Sequence, residues 1–432
     1  MRWNRLRLAA LAATLSLAVA GCGGGGDEGT DAPPGETGAE PTTDTTSEEE
    51  EVAGGPGLTI WVDPERTPAV EEVGARFAAE NGVEVRVETI SDELQTQFVT
   101  AHQAGNAPDL VLGAHDWIGN LVQNGAIDPI QFTEDKVAEF NPLAIEGVTF
   151  NGQIYGVPFA VENVVLFRNP ELAPDAPATF EEMVATAQQL QASGGVTEIL
   201  AVPVGANGDP YHMYPLFTSA GGYLFGTDDT GTYDPSDLGL ADASAATAMA
   251  KIAEHGEAGT GALKRSITAE NLLSLYTEGQ AAFMLSGPWQ IAAIEEAGVP
   301  YEISPIPGFE GMGPARPFVG VQAMYVSASS ENKAIAQEFA TNFFTLPEVA
   351  RAFYEIDPRA PALTSVFDEV SAEDPNVAAI IEAGADGDIL PAIPEMAAIW
   401  SPFGIAEAAV VGGSDPAAAI GAAAQTVQDQ IG

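Results

Sequence analysis

The chain is poor in cysteine, histidine and positive charge, and each shortage argues against a class of function. Cys22 is the only cysteine in 432 residues, so the protein cannot form an internal disulfide. The four histidines are scattered, and no pair has the spacing of a metal site. No P-loop or GxSxG motif is present, which leaves nucleotide binding and a Ser-His-Asp mechanism without sequence support. We therefore expect neither a metal site nor a cofactor.

Acidic residues outnumber basic ones by 62 to 15, which gives a net charge of −47 at pH 7. A chain with this charge repels nucleic acid and anionic lipid headgroups, so we expect neither as a binding partner. An anion such as phosphate is also a poor candidate ligand. The acidity is typical of proteins that stay soluble in a salty medium.

The first 56 residues do not have the pattern of a folded domain. Arg2, Arg5 and Arg7 precede a short apolar stretch that ends in small residues, which predicts a signal peptide over residues 1–21. The sequence VAGC that ends this stretch resembles a bacterial lipobox, so we expect Cys22 to be lipidated after cleavage. Residues 22–56 contain no aromatic residue, lysine or arginine and are predicted to be a disordered acidic linker. These features predict a protein anchored by lipid to the extracytoplasmic face of the cell membrane.

Strand-like and helical patterns alternate at the start of the body. Residues 58–62 (LTIWV), 83–89 (VEVRVET) and 109–113 (DLVLG) read as strands, and helical patterns follow each of them. This order predicts a mostly parallel sheet with helices on both faces. Ligands of such sheets bind beyond the carboxyl ends of the strands. We therefore expect residues 63–66 and the pair Asp116-Trp117 to face one crevice.

Aromatic and carboxylate side chains are the chemistry that the body offers. Trp61 lies inside a strand and is predicted to be core, whereas Trp117, Trp289 and Trp400 come at the ends of segments. One face of a pyranose ring is a patch of C–H groups that can stack on an indole, and its hydroxyls can donate to carboxylates. Stacking contributes about 1 kcal/mol beyond area burial, and a hydrogen bond to a charged acceptor about 1.5–3 kcal/mol. The neighbouring pair Asp116 and Trp117 offers both interactions, which favours a carbohydrate ligand.

Long blocks of the body resemble one family of proteins. They occur in the family's order and run from about Leu58 to the C-terminus: LTIWV, EEVGARF, APDLVLGAHDWIGNLVQNG, FNGQIYGVPFAVEN, FRNPEL, PYHMYPLFTSAGGYLF, SGPW, RPFVGVQA and ILPAIPEMAAIW. The sequence is similar to maltose-binding proteins, the solute-binding components of bacterial maltose and maltodextrin ABC importers.

This resemblance implies an α/β periplasmic-binding-protein fold, in which two α/β lobes are joined by hinge strands with a ligand cleft between them. It divides the body into a first lobe of residues 57–160 plus 323–370 and a second lobe of residues 161–322 plus 371–432. In the family the cleft closes around the sugar, a hinge motion between lobes.

The resemblance also implies a set of ligand contacts. The positions that match sugar contacts of the family are Glu65, Arg66, Asp116, Glu162, Asp209, Tyr211, Trp289 and Trp400. Tyr211, Trp289 and Trp400 match side chains that stack on sugar rings. The chain departs from the family at Gly113, where the family has a tryptophan, and at Trp117, where it has an arginine. One indole is lost and another is gained four residues later, so Trp117 joins the predicted contacts.

The function that the resemblance implies is binding without catalysis. We expect a monomer that captures maltose or maltodextrin-type oligosaccharides and delivers them to the permease of an ABC transporter. Trehalose or another α-glucoside is an alternative ligand. A glycoside hydrolase with two catalytic carboxylates is a further alternative, because sequence cannot give the separation of the carboxylates. A peptide or an iron complex is a third possible solute, although the chain lacks clustered ligands for iron.

Overall fold

The computed structural model describes residues 57–228 and 232–432. The predicted signal peptide, the predicted lipidation site at Cys22 and the predicted linker lie outside these residues. The strands are β1 (Gly57–Val62), β2 (Glu84–Thr89), β3 (Leu110–Ala114), β4 (Thr149–Phe150), β5 (Gln153–Ile154), β6 (Gly156–Asn163), β7 (Val165–Arg168), β8 (Phe225–Thr227), β9 (Tyr233–Leu238), β10 (Phe283–Ser286), β11 (Glu302–Ser304), β12 (Phe318–Val326), β13 (Ala360–Pro361) and β14 (Asp388–Ile389).

The α-helices are α1 (Thr67–Asn81), α2 (Leu94–Ala104), α3 (Ile118–Gln123), α4 (Glu134–Val137), α5 (Pro142–Gly147), α6 (Phe180–Ala192), α7 (Pro210–Ser219), α8 (Ala243–His255), α9 (Leu272–Thr277), α10 (Ile291–Glu296), α11 (Lys333–Glu338), α12 (Pro347–Ile356), α13 (Thr364–Glu373), α14 (Pro375–Ala383), α15 (Trp400–Val411) and α16 (Pro416–Ile431). Shorter 3₁₀ segments span His115–Trp117, Gly239–Ala241, Pro288–Gln290 and Pro394–Ala398, and a π-helical turn spans Phe339–Phe343. No helix within the described ranges is long and apolar enough to cross a membrane.

The larger sheet contains seven strands and is mixed rather than mostly parallel. Its order is β13-β6-β12-β3-β1-β2, and β14 also pairs with β12. Strands β2, β1 and β3 are parallel, as their helical connections predict, but β12 runs antiparallel to both β3 and β6. The prediction of a mostly parallel sheet is therefore wrong for the strands β6, β12 and β13. Strand β12 follows β6 by more than 150 residues, so no βαβ unit dictates its direction.

Alternating side chains of β1 explain why both faces of this sheet are covered. Leu58, Ile60 and Val62 are fully buried against Phe77 of α1 on one face, whereas the residues between them are only partly buried. On the other face Val111 and Phe98 belong to a second apolar cluster. Helices on both faces leave the ends of the strands as the open edge of the sheet, where loops carry polar side chains.

A smaller sheet of three antiparallel strands, in the order β10-β7-β11, lies elsewhere in the body. Its core continues into helices α6, α7, α8, α15 and α16, whose apolar faces form one cluster. The predicted lobe boundaries at residues 160/161 and 322/323 fall inside β6 and β12, which are long and paired with each other. The division into lobes remains a prediction, and these two strands are where the chain would cross between them.

Candidate functional site

The loop after β1 and the turn after β3 lie at the carboxyl ends of neighbouring parallel strands. The first carries Glu65 and Arg66, and the second carries Asp116 and Trp117 within a 3₁₀ turn. A short turn forms there because His115 is anchored: its Nδ1 accepts from the Val321 N–H at 3.0 Å, and its Nε2 lies 2.8 Å from the Leu390 carbonyl. The next two side chains are thereby held at the open edge of the sheet.

Tyr211 lies at the centre of the predicted contacts. Burial holds the pKa of its hydroxyl well above the usual value, and the nearby negative charges of Glu162, Asp116 and Asp209 raise it further. The hydroxyl oxygen is buried and has no hydrogen-bond partner among the described residues. Three of the predicted acids, which are far apart in the sequence, therefore lie near the Tyr211 hydroxyl.

A chain of hydrogen bonds joins charged side chains along this edge. Arg66 donates to Asp63 and to Oε1 of Gln322, and Nε2 of Gln322 donates to Glu162 at 2.5 Å. Glu162 accepts a second hydrogen bond from Nε of Arg359 at 2.5 Å. Arg66, Gln322, Glu162 and Arg359 are almost completely buried, and each charged group among them has a direct partner.

Arg359 is the most heavily paired group of the site. It contacts Glu162, Asp357 and, at 3.1 Å, Glu65. Its guanidinium carbon also lies 5.9 Å from the centroid of the Trp289 ring, within the range of a cation–π contact. Arg359 thus connects a segment beside the larger sheet with an indole that follows β10 of the smaller sheet.

Glu65 and Arg66 occupy different environments although they are neighbours in sequence. The Glu65 side chain is 61% exposed and reaches Arg359 from outside. Arg66 is buried, and its guanidinium lies 5.9 Å from the centroid of the Phe159 ring. Of this predicted pair, Glu65 is much the more exposed side chain.

Asp116 differs from Glu162 in having no hydrogen-bond donor from another residue within the described structure. Burial raises the pKa of its carboxyl to about 7, and only its own backbone N–H lowers it slightly. No guanidinium compensates it, unlike the carboxylates along the hydrogen-bond chain. Asp116 is therefore a predicted contact whose carboxyl has no donor from another residue in the described structure.

The indole of Trp117 covers Gly113. A Cβ atom built on Gly113 would lie only 2.0 Å from Cζ3 of Trp117, so the indole lies directly against the Gly113 backbone. A larger residue at position 113 and this position of the Trp117 ring exclude each other. The glycine at position 113 and the tryptophan at position 117 are therefore sterically coupled.

An aromatic row includes the three predicted stacking residues. The ring centroids of Tyr211 and Trp289 are 6.1 Å apart, those of Tyr211 and Phe318 6.2 Å, and those of Phe318 and Trp400 6.1 Å. Trp289 and Trp400 are only partly buried. Phe318 links the row but was not among the predicted residues. Phe318 is buried, so Tyr211, Trp289 and Trp400 are the rings of this row that a ligand could contact.

Asp209, a predicted ligand contact, also caps the N-terminus of α7. Its side chain accepts the His212 N–H at 3.1 Å. Burial opposes ionisation, but the charge and hydrogen bonds of His212 outweigh it and lower the pKa of Asp209. Its neighbourhood also holds Glu407, a fully buried carboxyl without a partner in the described structure, whose pKa burial raises well above its usual value.

Sequence reasoning did not find Gln322, Arg359 or Asp357. Gln322 sits in an apolar strand, VGVQAMYV, where an isolated amide is the only visible signal. Arg359 lies in DPRAP, and an arginine is unusual in a chain with so few basic residues. Neither signal specifies a partner. No group of histidine, cysteine, aspartate and glutamate that could hold a metal ion occurs in the part of the chain that the structure describes.

Comparison with known proteins supports the same interpretation. A galactooligosaccharide-binding protein of Bacillus subtilis (strain 168) is 30% identical over 430 residues, which cover 98% of this chain and 96% of that protein. A maltodextrin-binding protein of the same organism is 29% identical over 357 residues, or 80% of this chain and 82% of the relative. A maltooligosaccharide ABC transporter solute-binding lipoprotein of Streptococcus pneumoniae serotype 4 is 26% identical over 354 residues, or 80% and 81%.

These matches confirm the resemblance predicted from the sequence and, with it, the α/β periplasmic-binding-protein fold. Residues 72–379 match the model of a family described as bacterial extracellular solute-binding protein. That range runs from within α1 to within α14, and of the predicted contacts it leaves out only Glu65, Arg66 and Trp400. The chain belongs to the family of bacterial extracellular solute-binding proteins.

Proposed function

We propose that the protein captures an oligosaccharide of the maltodextrin type outside the membrane, as a monomer, and delivers it to the permease of an ABC importer. The observation that carries this proposal is the position of Tyr211, which lies among three carboxylates and within the aromatic row. Carboxylates accept hydrogen bonds from sugar hydroxyls, and aromatic rings contact the C–H face of the sugar. The proposed ligand contacts are Glu65, Arg66, Asp116, Trp117, Glu162, Asp209, Tyr211, Trp289 and Trp400.

A galactooligosaccharide is a second candidate ligand. The relative with that name is 30% identical over 98% of this chain. The Trp117 indole lies against Gly113, and these are the two positions at which the chain is predicted to depart from the maltose-binding pattern. Both ligand classes present hydroxyls and C–H faces, so the acids and indoles alone do not discriminate between them.

The surroundings of Glu162 favour ligand binding over glycoside hydrolysis. Both oxygens of Glu162 accept hydrogen bonds from buried donors, which favours a fixed acceptor over a group that exchanges protons with a substrate. Incubation of the protein with maltotriose distinguishes the two functions. No release of glucose is expected, whereas steady hydrolysis would favour the glycoside hydrolase.

Lipidation of Cys22 is the proposed means of retention at the membrane. The lipobox-like sequence supports it, and a relative is named a solute-binding lipoprotein. In a bacterial host, the wild type should fractionate with membranes and incorporate a labelled fatty acid. The Cys22→Ala variant should do neither. Equal fractionation of the two proteins would contradict the proposal.

Titration calorimetry with maltose, maltotriose, trehalose, sucrose and a galactobiose tests the ligand. We expect Trp289→Ala and Trp400→Ala each to weaken binding of the best ligand by about 1–3 kcal/mol, because each removes a stacking surface. The matched variants Trp289→Phe and Trp400→Phe keep an aromatic face and should retain most of the affinity. Wild-type affinity in either alanine variant would exclude that tryptophan from the ligand site.

A further inference from the structure

The amide of Gln322 lies between two charged groups of the proposed site. It sits on β12, between β3 and β6, and is only 6% exposed. Its Oε1 accepts from Arg66, and its Nε2 donates to Oε1 of Glu162 at 2.5 Å. A guanidinium can only donate and a carboxylate can only accept, so these two partners allow one orientation of the amide.

The backbone around Gln322 is built to hold this position. The pairing of β12 with β6 shifts at this point: Gln322 pairs with Ala160, but Ala323 pairs with Pro158. Phe159 is therefore the extra residue of a bulge, and the Arg66 guanidinium lies over its ring. Bulges re-aim side chains at the edges of functional sites.

We propose that Gln322 is a positioning residue for ligand binding, which holds the Glu162 carboxylate and the Arg66 guanidinium in the orientation that the ligand meets. The inference rests on the proposed oligosaccharide function and extends it to a residue that no sequence feature assigned. Each oxygen of Glu162 accepts one hydrogen bond from the protein, from Gln322 or from Arg359. A carboxylate oxygen can accept two, so each keeps capacity for a hydroxyl donated by the ligand.

Replacement of the amide by a carboxyl provides the sharpest test. In Gln322→Glu the new carboxyl faces Glu162 at the distance of a hydrogen bond, where two carboxylates cannot both ionise without repulsion. Arg66 and Arg359 flank this pair, but they already contact Asp63, Glu65 and Asp357, so the added carboxyl exceeds the positive charge of the site. At low pH a shared proton keeps the pair together, and at high pH repulsion turns Glu162 away. We expect the ratio of the variant's Kd for maltotriose to that of the wild type to rise about tenfold or more between pH 5 and pH 8.

Two further variants separate this effect from a change in packing. Gln322→Leu keeps the approximate volume but cannot titrate, so it should weaken binding about tenfold at every pH with a constant ratio to the wild type. It also tests the proposal if Gln322→Glu does not fold. Gln189→Glu makes the same chemical change on the exposed face of α6, and its ratio should stay near one throughout.

Each outcome of this series bears on the proposal. Circular dichroism and thermal unfolding first establish that each variant is folded. Wild-type affinity in Gln322→Leu would overturn the positioning role. A ratio for Gln322→Glu that stays near one at every pH, together with a lowered Tm, would assign Gln322 to stability alone. If wild-type protein binds none of the oligosaccharides at any pH, the proposed function itself fails, which is a different result.

Discussion

Two acids of the candidate site show how different the surroundings of a carboxyl group can be. Glu162 receives hydrogen bonds from Gln322 and Arg359, whereas Asp116 receives none from another residue in the described structure. Burial of an uncompensated carboxylate is unfavourable, which raises the pKa of Asp116 to about 7. The Asp116 carboxyl is therefore partly protonated near neutral pH. A hydroxyl donated by a ligand would supply the missing partner.

Ligand binding should therefore release protons near pH 7. A hydroxyl that donates to Asp116 favours the ionised carboxylate and lowers its pKa, so about half a proton leaves per ligand bound at pH 7. Affinity should accordingly rise as the pH rises from 5 to 8. Calorimetry in phosphate and in Tris measures the release, because the two buffers differ in their enthalpy of ionisation.

Two aspartate variants test whether the released proton comes from Asp116. Asp116→Asn cannot titrate and should lose both the proton release and this part of the pH dependence. Asp135→Asn, on the exposed surface of α4, should retain them. Proton uptake on binding, or an unchanged release in Asp116→Asn, would show that the ligand does not meet the ionised Asp116 carboxylate.

At the scale of the element, helix α7 depends on a residue that is also a predicted ligand contact. Asp209 caps its N-terminus, and Tyr211 lies in its first turn. The cap places the Tyr211 ring relative to Trp289 and Phe318 because it determines where the helix begins. One side chain thus serves local structure and, in our proposal, ligand binding.

The two tasks of Asp209 can be separated by substitution. Asp209→Ala should lower the free energy of unfolding by about 1 kcal/mol, since the His212 N–H loses its acceptor. Asp209→Ser restores an N-cap oxygen and should regain most of that stability, yet bind the oligosaccharide more weakly without the carboxylate. Urea unfolding and calorimetry on the same samples measure both effects. Wild-type affinity in the serine variant would limit Asp209 to capping.

The 3₁₀ turn after β3 depends on a neutral histidine. Nδ1 of His115 accepts a backbone N–H, so Nε2 carries the proton that is donated to Leu390. Burial lowers the pKa of His115 to about 4, although backbone hydrogen bonds and the charge of Glu162 oppose this shift. The turn that presents Asp116 and Trp117 is thereby tied to β12 and to the residue that follows β14.

Acid should weaken the fold through His115. The unfolded residue takes up its proton near pH 6.5 and the folded one only near pH 4, so this contribution is intact above pH 6.5 and lost as pH falls towards 4. The shift corresponds to about 3 kcal/mol of unfolding free energy. Urea midpoints measured every half pH unit should show a shallower acid slope for His115→Gln than for the wild type. Equal slopes would contradict the assignment.

At the scale of the whole molecule, basic residues are scarce, and some of them serve several acids. Arg351 contacts Glu355, Glu369 and Glu373, just as Arg359 contacts three carboxylates. With 62 acidic and 15 basic residues, most carboxylates have no positive partner to share. Repulsion among them opposes the compact state.

Salt should therefore stabilise the protein. Raising NaCl from about 0.01 M to about 0.5 M shortens the screening length several-fold, which weakens repulsion more than it weakens the few surface ion pairs. We expect the free energy of unfolding to rise by an amount on the order of 1 kcal/mol or more. Thermal unfolding in NaCl and KCl of equal ionic strength measures it. A fall in Tm with salt would mean that the ion pairs dominate.

The sequence alone determined the local features of this protein. Hydrophobic periodicity predicted the strands β1, β2 and β3 with their helices, because each pattern depends on neighbours within a few residues. Collinear blocks predicted the family and the fold, which the comparisons confirm. The ligand contacts also came from that resemblance, and their role remains a prediction.

Only the tertiary structure decided how distant residues meet. The antiparallel direction of β12, the contact of Trp117 with Gly113 and the bridging of Glu162 by Gln322 and Arg359 could not be read in advance. Gln322 and Glu162 are 160 residues apart in sequence, and no local pattern records their pairing. Strand register and bulges bring such groups together, because they set which side chains share one edge of a sheet.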